Sequence, residues 1–230
     1  MVLMPPNDLS PRGTTILRHP RARSGSNPLL AFRRRRTPGS RGQVLVEFAL
    51  VIPMFLLLFM AVIEFAFVFN AIISVNFAAR NAALQAAEAG NSIGADCIIL
   101  ASVENDVQAP ADRARISRVE IYRSTLTGAV WPGSAPTVYN RGGSTTCTYP
   151  DRGPLTVPYT QGGDGYPEKN RCNVLAGCKV DTNGLSHPGV DHVGIKISYN
   201  HPYKTPIRTL FSGPSLSFDR ANSMRMEPVL

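Results

Sequence analysis

The chain has 230 residues, a formal net charge of +8 and a mean hydropathy near zero, a size that suits one or two modest domains. Nine of its 24 basic side chains and one of its 16 acidic side chains lie in residues 1–42, which leaves 15 of each sign for the remainder. All the excess charge therefore precedes the first apolar run. Because no basic surface on a folded module follows it, we exclude a nucleic-acid-binding protein.

Residues 1–42 mix Pro, Gly, Ser and Arg without apolar periodicity, which predicts a disordered cytoplasmic leader. Five arginines stand directly before the apolar run: Arg33, Arg34, Arg35, Arg36 and Arg41. A basic flank of this kind orients a membrane segment with its N-terminus in the cytoplasm and attracts anionic lipid headgroups.

The apolar run extends from Phe48 to Phe69 and is interrupted only by Glu64. At 1.5 Å per residue it forms roughly 33 Å of helix, enough to cross the hydrocarbon core of a bilayer. A buried core helix is disfavoured because the run is apolar on every face. A cleavable secretory signal is disfavoured because the run is too long and no small-residue cleavage site closely follows it. We predict one membrane-spanning helix over about 48–69.

The residues after the span are rich in alanine, and apolar side chains recur at helical intervals. These are Ile72, Val75, Ala79, Leu84 and Ala87. The spacing predicts that the helix leaves the membrane and continues as an amphipathic stem, so that residues 43–89 form one element. Gly90 supplies a stop signal.

Residues 90–230 are predicted to form a small, loop-rich extracytoplasmic α+β domain with antiparallel strands. The stretch 91–108 fits a helix or a strand. The segments "RISRVEIY" and "VGIKISY" predict strands, and "SLSFDRANSMRME" is expected to pair with the second of them. Eleven glycines and seven prolines between Gly128 and Val190 predict an insert, 128–190, without long regular elements.

All four cysteines, Cys97, Cys147, Cys172 and Cys178, follow the membrane segment, where disulfides can form. Three pairings are possible. We prefer Cys172–Cys178, which closes a short loop, with Cys97–Cys147, which ties the helical side of the domain to the insert; free thiols are the alternative.

A zinc site built from Cys172, Cys178, His187 and His192 is a further hypothesis. Its spacing departs from that of zinc fingers, so we predict no metal and no cofactor.

Signature motifs of hydrolases, metalloproteases and phosphate-binding loops do not occur in the chain. His187, His192 and His201 fall in Pro- or Gly-containing stretches and are expected at the surface. We therefore predict that the protein is not an enzyme.

Glu47 stands at the front edge of the apolar run, five residues after Gly42. A boundary carboxylate is the simplest interpretation. The pattern of a basic leader, then Gly42, Gln43, Glu47 and Phe48, then an apolar helix also resembles the processing site of type IV prepilins. That resemblance implies cleavage between Gly42 and Gln43 by a prepilin peptidase, and pairing of Glu47 with the new amino terminus of a neighbouring subunit.

A narrower resemblance covers about forty residues. The start "RGQVLVEFA" at Arg41–Ala49, Pro53, "IEF" at Ile63–Phe65 and the Ala/Arg-rich exit at Ala78–Arg80 are similar to the TadE-like domain of the tight-adherence (Tad/Flp) pilus machinery. The resemblance implies a pseudopilin of the inner membrane that assists pilus assembly, secretion or adherence. Its implied partners are the prepilin peptidase, other pilin-like subunits and inner-membrane platform proteins. The alternative is an uncleaved single-pass protein whose outer domain binds an envelope or surface partner.

Two residues inside the apolar helix need separate interpretation. Pro53 removes one backbone hydrogen bond and is expected to bend the helix. Glu64 lies roughly 25 Å beyond Glu47, near the far interface. We expect its carboxylate to reach water, with an ion pair to Arg80 of another copy as the alternative.

Overall fold

The computed structural model describes residues 40–149, 153–206 and 213–228. The predicted disordered leader, including Arg33, Arg34, Arg35 and Arg36, lies outside these residues apart from its last three positions, and the side chain of Arg41 is also outside the description. Residues 1–45 and 46–230 form two units, and the packing reported below concerns the second.

The first element is helix α1, Ser40–Ala89, which continues through Pro53 without interruption. From Gly42 to Phe59 every residue of α1 is exposed. From Glu64 onward one side of the helix is buried at helical intervals. The buried residues are Glu64, Ala71, Val75, Ala78, Ala79, Ala82, Ala83, Ala86 and Ala87. The predicted continuation of the apolar helix into an amphipathic stem is thus confirmed, although Leu84, assigned to the apolar face from its spacing, is 38% exposed.

A second helix, α2, spans Ala95–Asp106 and settles the ambiguity over residues 91–108 in favour of a helix. Five strands follow and form one antiparallel sheet. They are β1, Ile116–Ser124; β2, Thr137–Tyr149; β3, Gly153–Asp164; β4, His192–Pro202; and β5, Ser215–Arg225. Their order across the sheet is β3-β2-β1-β4-β5. The predicted α+β class and the pairing of β4 with β5 are confirmed.

The prediction that the insert 128–190 lacks long regular elements is wrong, because β2 and β3 have 13 and 12 residues. Glycine-rich sequence is tolerated there because Gly142 and Gly143 fall where the β2–β3 register shifts. A Cβ on Gly143 would clash with the side chain of Thr160 on β3, so glycine lets Thr160 keep its place here. The two prolines of β3 lie on an edge strand, where a missing N–H is tolerated.

The core lies between the helices and one face of the sheet. Alternating residues of β1 and β4 point inward, including Val119, Ile121, Ile195 and Ile197, all fully buried. The opposing surface of α1 is built mainly from alanine, whose small side chain lets the helix approach the sheet closely. The hydrophobic side chains of this core supply the main driving force for folding.

Three contacts show how the sheet is aligned with the stem. Glu64 meets the end of β4, Asn76 meets Asn222 of β5, and Ala87 accepts a hydrogen bond from Glu227 beyond β5. Residue numbers therefore increase in the same direction along β5 and α1, which means that the strand runs parallel to the helix. One end of the sheet lies at the level of Glu64, and the other end lies at the level of Ala87.

Candidate assembly surface

The residues predicted for processing lie in the first turns of α1. Gly42 and Gln43 are exposed, and a Cβ built on Gly42 would meet nothing within 4 Å. Glu47 is exposed and Phe48 is 62% exposed. The geometry leaves this stretch accessible, and the assignment of cleavage and charge pairing to it remains a prediction.

The helix from 43 to 63 has no buried residue. Its large apolar side chains include Leu50 and Met54, which are 70% and 74% exposed. At 1.5 Å per residue this segment measures about 31 Å, close to the thickness of a hydrocarbon core of about 30 Å. The exposed apolar helix indicates a single-pass membrane anchor.

Glu64 does not reach water as we expected, because only 4% of it is exposed. Its carboxylate accepts hydrogen bonds from the backbone N–H of Lys204 at 3.0 Å and of Thr205 at 2.8 Å. Nε2 of His201 lies 3.5 Å from Oε1. We call these four residues the Glu64 junction.

His201 was expected at the surface but is 98% buried in this junction, with 2% of it exposed. Burial lowers its pKa, while the neighbouring carboxylate of Glu64 opposes that shift in part. The partners of Glu64 lie about 140 residues away in the chain, so no local pattern could have predicted the contact.

An exposed apolar ridge runs along the stem on the side opposite the buried alanines. It consists of Phe65, Phe69, Ile73 and Phe77, spaced four residues apart on one helix face. Their exposed fractions are 72%, 59%, 59% and 56%. The ridge was not predicted from the sequence, although large apolar residues recur at intervals of four within this helix.

The four cysteines form the two preferred disulfides, Cys97–Cys147 and Cys172–Cys178, so that pairing is confirmed. The first joins α2 to β2, and the second closes a loop before β4. The zinc-site hypothesis required free thiolates from Cys172 and Cys178, and the disulfide between them removes both ligands.

His187 is likewise buried rather than at the surface, in a cluster centred on Asp191. The Asp191 carboxylate lies 2.8 Å from Nδ1 of His187 and 3.0 Å from Nε of Arg123. It also accepts hydrogen bonds from Oη of Tyr166 at 2.9 Å and from the backbone N–H of Cys172 at 3.1 Å. Burial and the nearby Asp191 charge raise the pKa of Tyr166 well above its usual range. This cluster fixes the loops before β4 to β1.

A second polar cluster fixes the start of α2. Asp96 pairs with the fully buried Arg171 and accepts a hydrogen bond from Oη of Tyr139 at 2.7 Å. Glu168 accepts bonds from the backbone N–H groups of Gly94 and Asp96 at 2.8 and 2.7 Å. A carboxylate at this position satisfies N–H groups that have no partner inside the helix.

Taken together, the one long, exposed apolar helix in the described part of the chain and the disulfide-linked α+β domain that follows it are those expected of a helix-anchored membrane protein. The family model for TadE-like protein matches residues 42–84, from the predicted cleavage glycine into the stem. The predicted resemblance is thereby confirmed over this segment. No curated protein and no solved structure matches the chain. The match and the apolar helix are consistent with a membrane protein associated with the Tad pilus, and the TadE-like family is structural rather than enzymatic.

Replacing Asp191 by alanine should strongly destabilise the domain, because it leaves Arg123 buried without its counterion. We expect a loss of about 3–5 kcal/mol in the free energy of unfolding, measured by urea denaturation of the full chain in detergent. Asp219→Ala is the matched control, since the Asp219 side chain is 51% exposed in its pair with Lys196, and should change stability by less than about 1 kcal/mol. Equal effects of the two substitutions would contradict the structural role of the cluster.

Proposed function

We propose that the protein is a pseudopilin of a Tad/Flp-type pilus system, anchored in the inner membrane and assembled through residues 43–89 with other pilin-like subunits. It assists pilus assembly, secretion or surface adherence. The observation that carries the proposal is the apolar ridge, which extends the apolar surface of the membrane anchor along the stem.

Lipid alone does not explain the ridge. Phe77 lies about 20 Å above Glu64 along the helix, whereas on the opposite side the polar main chain of Lys204 and Thr205 packs at the level of Glu64. If lipid reached Phe77 on one side of the helix and ended at Glu64 on the other, the membrane surface would rise about 20 Å across a helix about 10–12 Å wide. That geometry requires the helix to tilt by roughly 60°. Membrane helices tilt by up to about 40°. The upper part of the ridge, at Phe77, therefore calls for a protein partner.

That partner must itself leave the bilayer beside α1, because the ridge continues the anchor without a polar break. Only Glu64, which is buried on the other side of the helix, separates Phe65 from the bare segment, and the next ridge residues lie at intervals of four. The helix of another pilin-like subunit meets this requirement. Four large side chains that are each more than half exposed also form the kind of apolar patch that marks an interaction site.

Glu47 supplies the second part of the proposal. Cleavage after Gly42 by a prepilin peptidase creates an ammonium group on Gln43 at the membrane surface. The Glu47 carboxylate of an adjacent subunit then pairs with it, so that two poorly solvated charges neutralise each other. One residue thereby sets the axial register of neighbouring helices.

The orientation follows from charge and redox chemistry. The arginines of the leader favour a cytoplasmic N-terminus, and the two disulfides favour a C-terminal domain in an oxidising compartment. We place the domain on the extracytoplasmic side, where inner-membrane platform proteins and other pilin-like subunits are its partners.

Processing is tested by mass spectrometry of the mature protein from cells that contain a prepilin peptidase. Its N-terminus should be Gln43. Gly42→Leu should retain the leader, because a bulky side chain then occupies the cleavage position, whereas Gly39→Leu, at another leader glycine, should be cleaved normally. An intact leader on the unsubstituted protein would exclude maturation after Gly42 and favour the uncleaved single-pass alternative.

The assembly surface is tested by placing a charge on the ridge. Phe69→Lys should lower the number of surface pili at least tenfold, because an ammonium group on the ridge cannot be buried against an apolar partner. Leu126→Lys is the matched control, since Leu126 is a large apolar residue, 85% exposed, in the loop that follows β1 and not on α1, and should assemble normally. Membrane levels and both disulfides should be unchanged in both variants. Normal piliation in Phe69→Lys would contradict the proposal.

A further inference from the structure

We infer that the Glu64 junction holds the sheet against the outer surface of the bilayer, so that the Tyr203–Pro206 turn lies in the lipid headgroup layer. The partner of this surface is the phospholipid membrane itself. The inference rests on the membrane anchor and is independent of cleavage after Gly42 and of pilus assembly.

The Glu64 junction lies at the end of the exposed apolar segment of α1. The bare apolar segment ends at Ile63, and Glu64 is the next residue. Because 43–63 is about as long as the hydrocarbon core is thick, a helix with Gln43 at the inner membrane surface brings Glu64 to the level where the hydrocarbon meets the outer headgroups. The membrane-spanning segment therefore ends at Ile63, six residues before Phe69, where hydropathy alone places its end.

Hydrogen bonds join the Glu64 carboxylate directly to the main chain of the turn. Both carboxylate oxygens of Glu64 accept the N–H of Lys204 at 3.0 Å, and Oε2 also accepts the N–H of Thr205 at 2.8 Å. Main-chain contacts of this length fix the turn at the same height as Glu64. They also satisfy a carboxylate whose burial without partners near hydrocarbon is unfavourable.

The turn also presents a positive charge, that of the Lys204 side chain. Lys204 is exposed while its backbone is held at the membrane boundary. A cationic side chain at that height meets the phosphate groups of the lipids and is attracted more strongly when the lipids are anionic. His201, buried beside Glu64, completes the junction from the end of β4.

The opposite end of the sheet provides an internal reference. Trp131, the single tryptophan of the chain, donates its backbone N–H to Arg123 at 2.8 Å. Arg123 is paired with Val193 at the start of β4, the end that lies at the level of Ala87. Trp131 is thus separated from the junction by nearly the whole length of the sheet and should stay away from lipid.

The test uses tryptophan quenching by lipids that carry bromine on the acyl chain near the headgroup. The full chain is reconstituted in vesicles of equimolar phosphatidylglycerol and brominated phosphatidylcholine. One protein keeps Trp131, and a second carries Tyr203→Trp with Trp131→Phe. We expect the fluorescence at 203 to be quenched at least twofold more than that at 131. Equal quenching at the two positions would overturn membrane docking of the turn.

Glu64→Ala in the second protein then tests the junction. If both disulfides are retained, quenching at position 203 should fall to the level measured for Trp131. Quenching as strong as in the same protein with Glu64 intact would overturn the role of Glu64. If this variant loses its disulfides, Glu64→Asp replaces it, because the shorter carboxylate keeps the charge but cannot reach both N–H groups. Its quenching should also fall, and an unchanged value would overturn the role equally.

Discussion

The structure depends on one constraint, which is that a single helix must satisfy two environments. From residue 48 to 63 α1 is apolar and has no buried residue, and from Glu64 onward one side of it is buried against the domain. The first buried residue is Glu64, whose carboxylate is bonded to the main chain of Lys204 and Thr205. Without those bonds, the buried carboxylate of Glu64 would lack hydrogen-bond donors.

The remaining architecture is arranged around that helix. Alanines on the covered side bring the stem close to β1 and β4, while polar clusters at Asp96 and Asp191 and two disulfides hold the loops in place. The opposite side keeps large apolar residues that the sheet never reaches. The same helix therefore offers a buried face that fixes the domain and a ridge that remains available to a partner.

Features that depend on neighbouring residues could be predicted from the sequence. The anchor, the amphipathic stem and the alternation in β4 are all local patterns. The cysteine pairing was a preference among three that the sequence leaves open, based on the short loop between Cys172 and Cys178. Contacts between distant residues could not be predicted in this way. Glu64 and His201 were assigned to water because their partners lie far apart in the chain, and β2 and β3 were missed because glycine at a register shift looks like a turn in isolation.

The ridge is the central element of the functional interpretation, and in-cell crosslinking tests it most directly. A photoreactive amino acid replaces Phe69 in one strain and Ser198, which lies on the outer face of the sheet, in another. The proposal predicts a crosslink from position 69 to another pilin-like subunit, through that subunit's 43–89 region or its equivalent, and none of that kind from position 198. Crosslinks from position 69 only to lipid, or equal subunit crosslinking from both positions, would contradict assembly through the ridge.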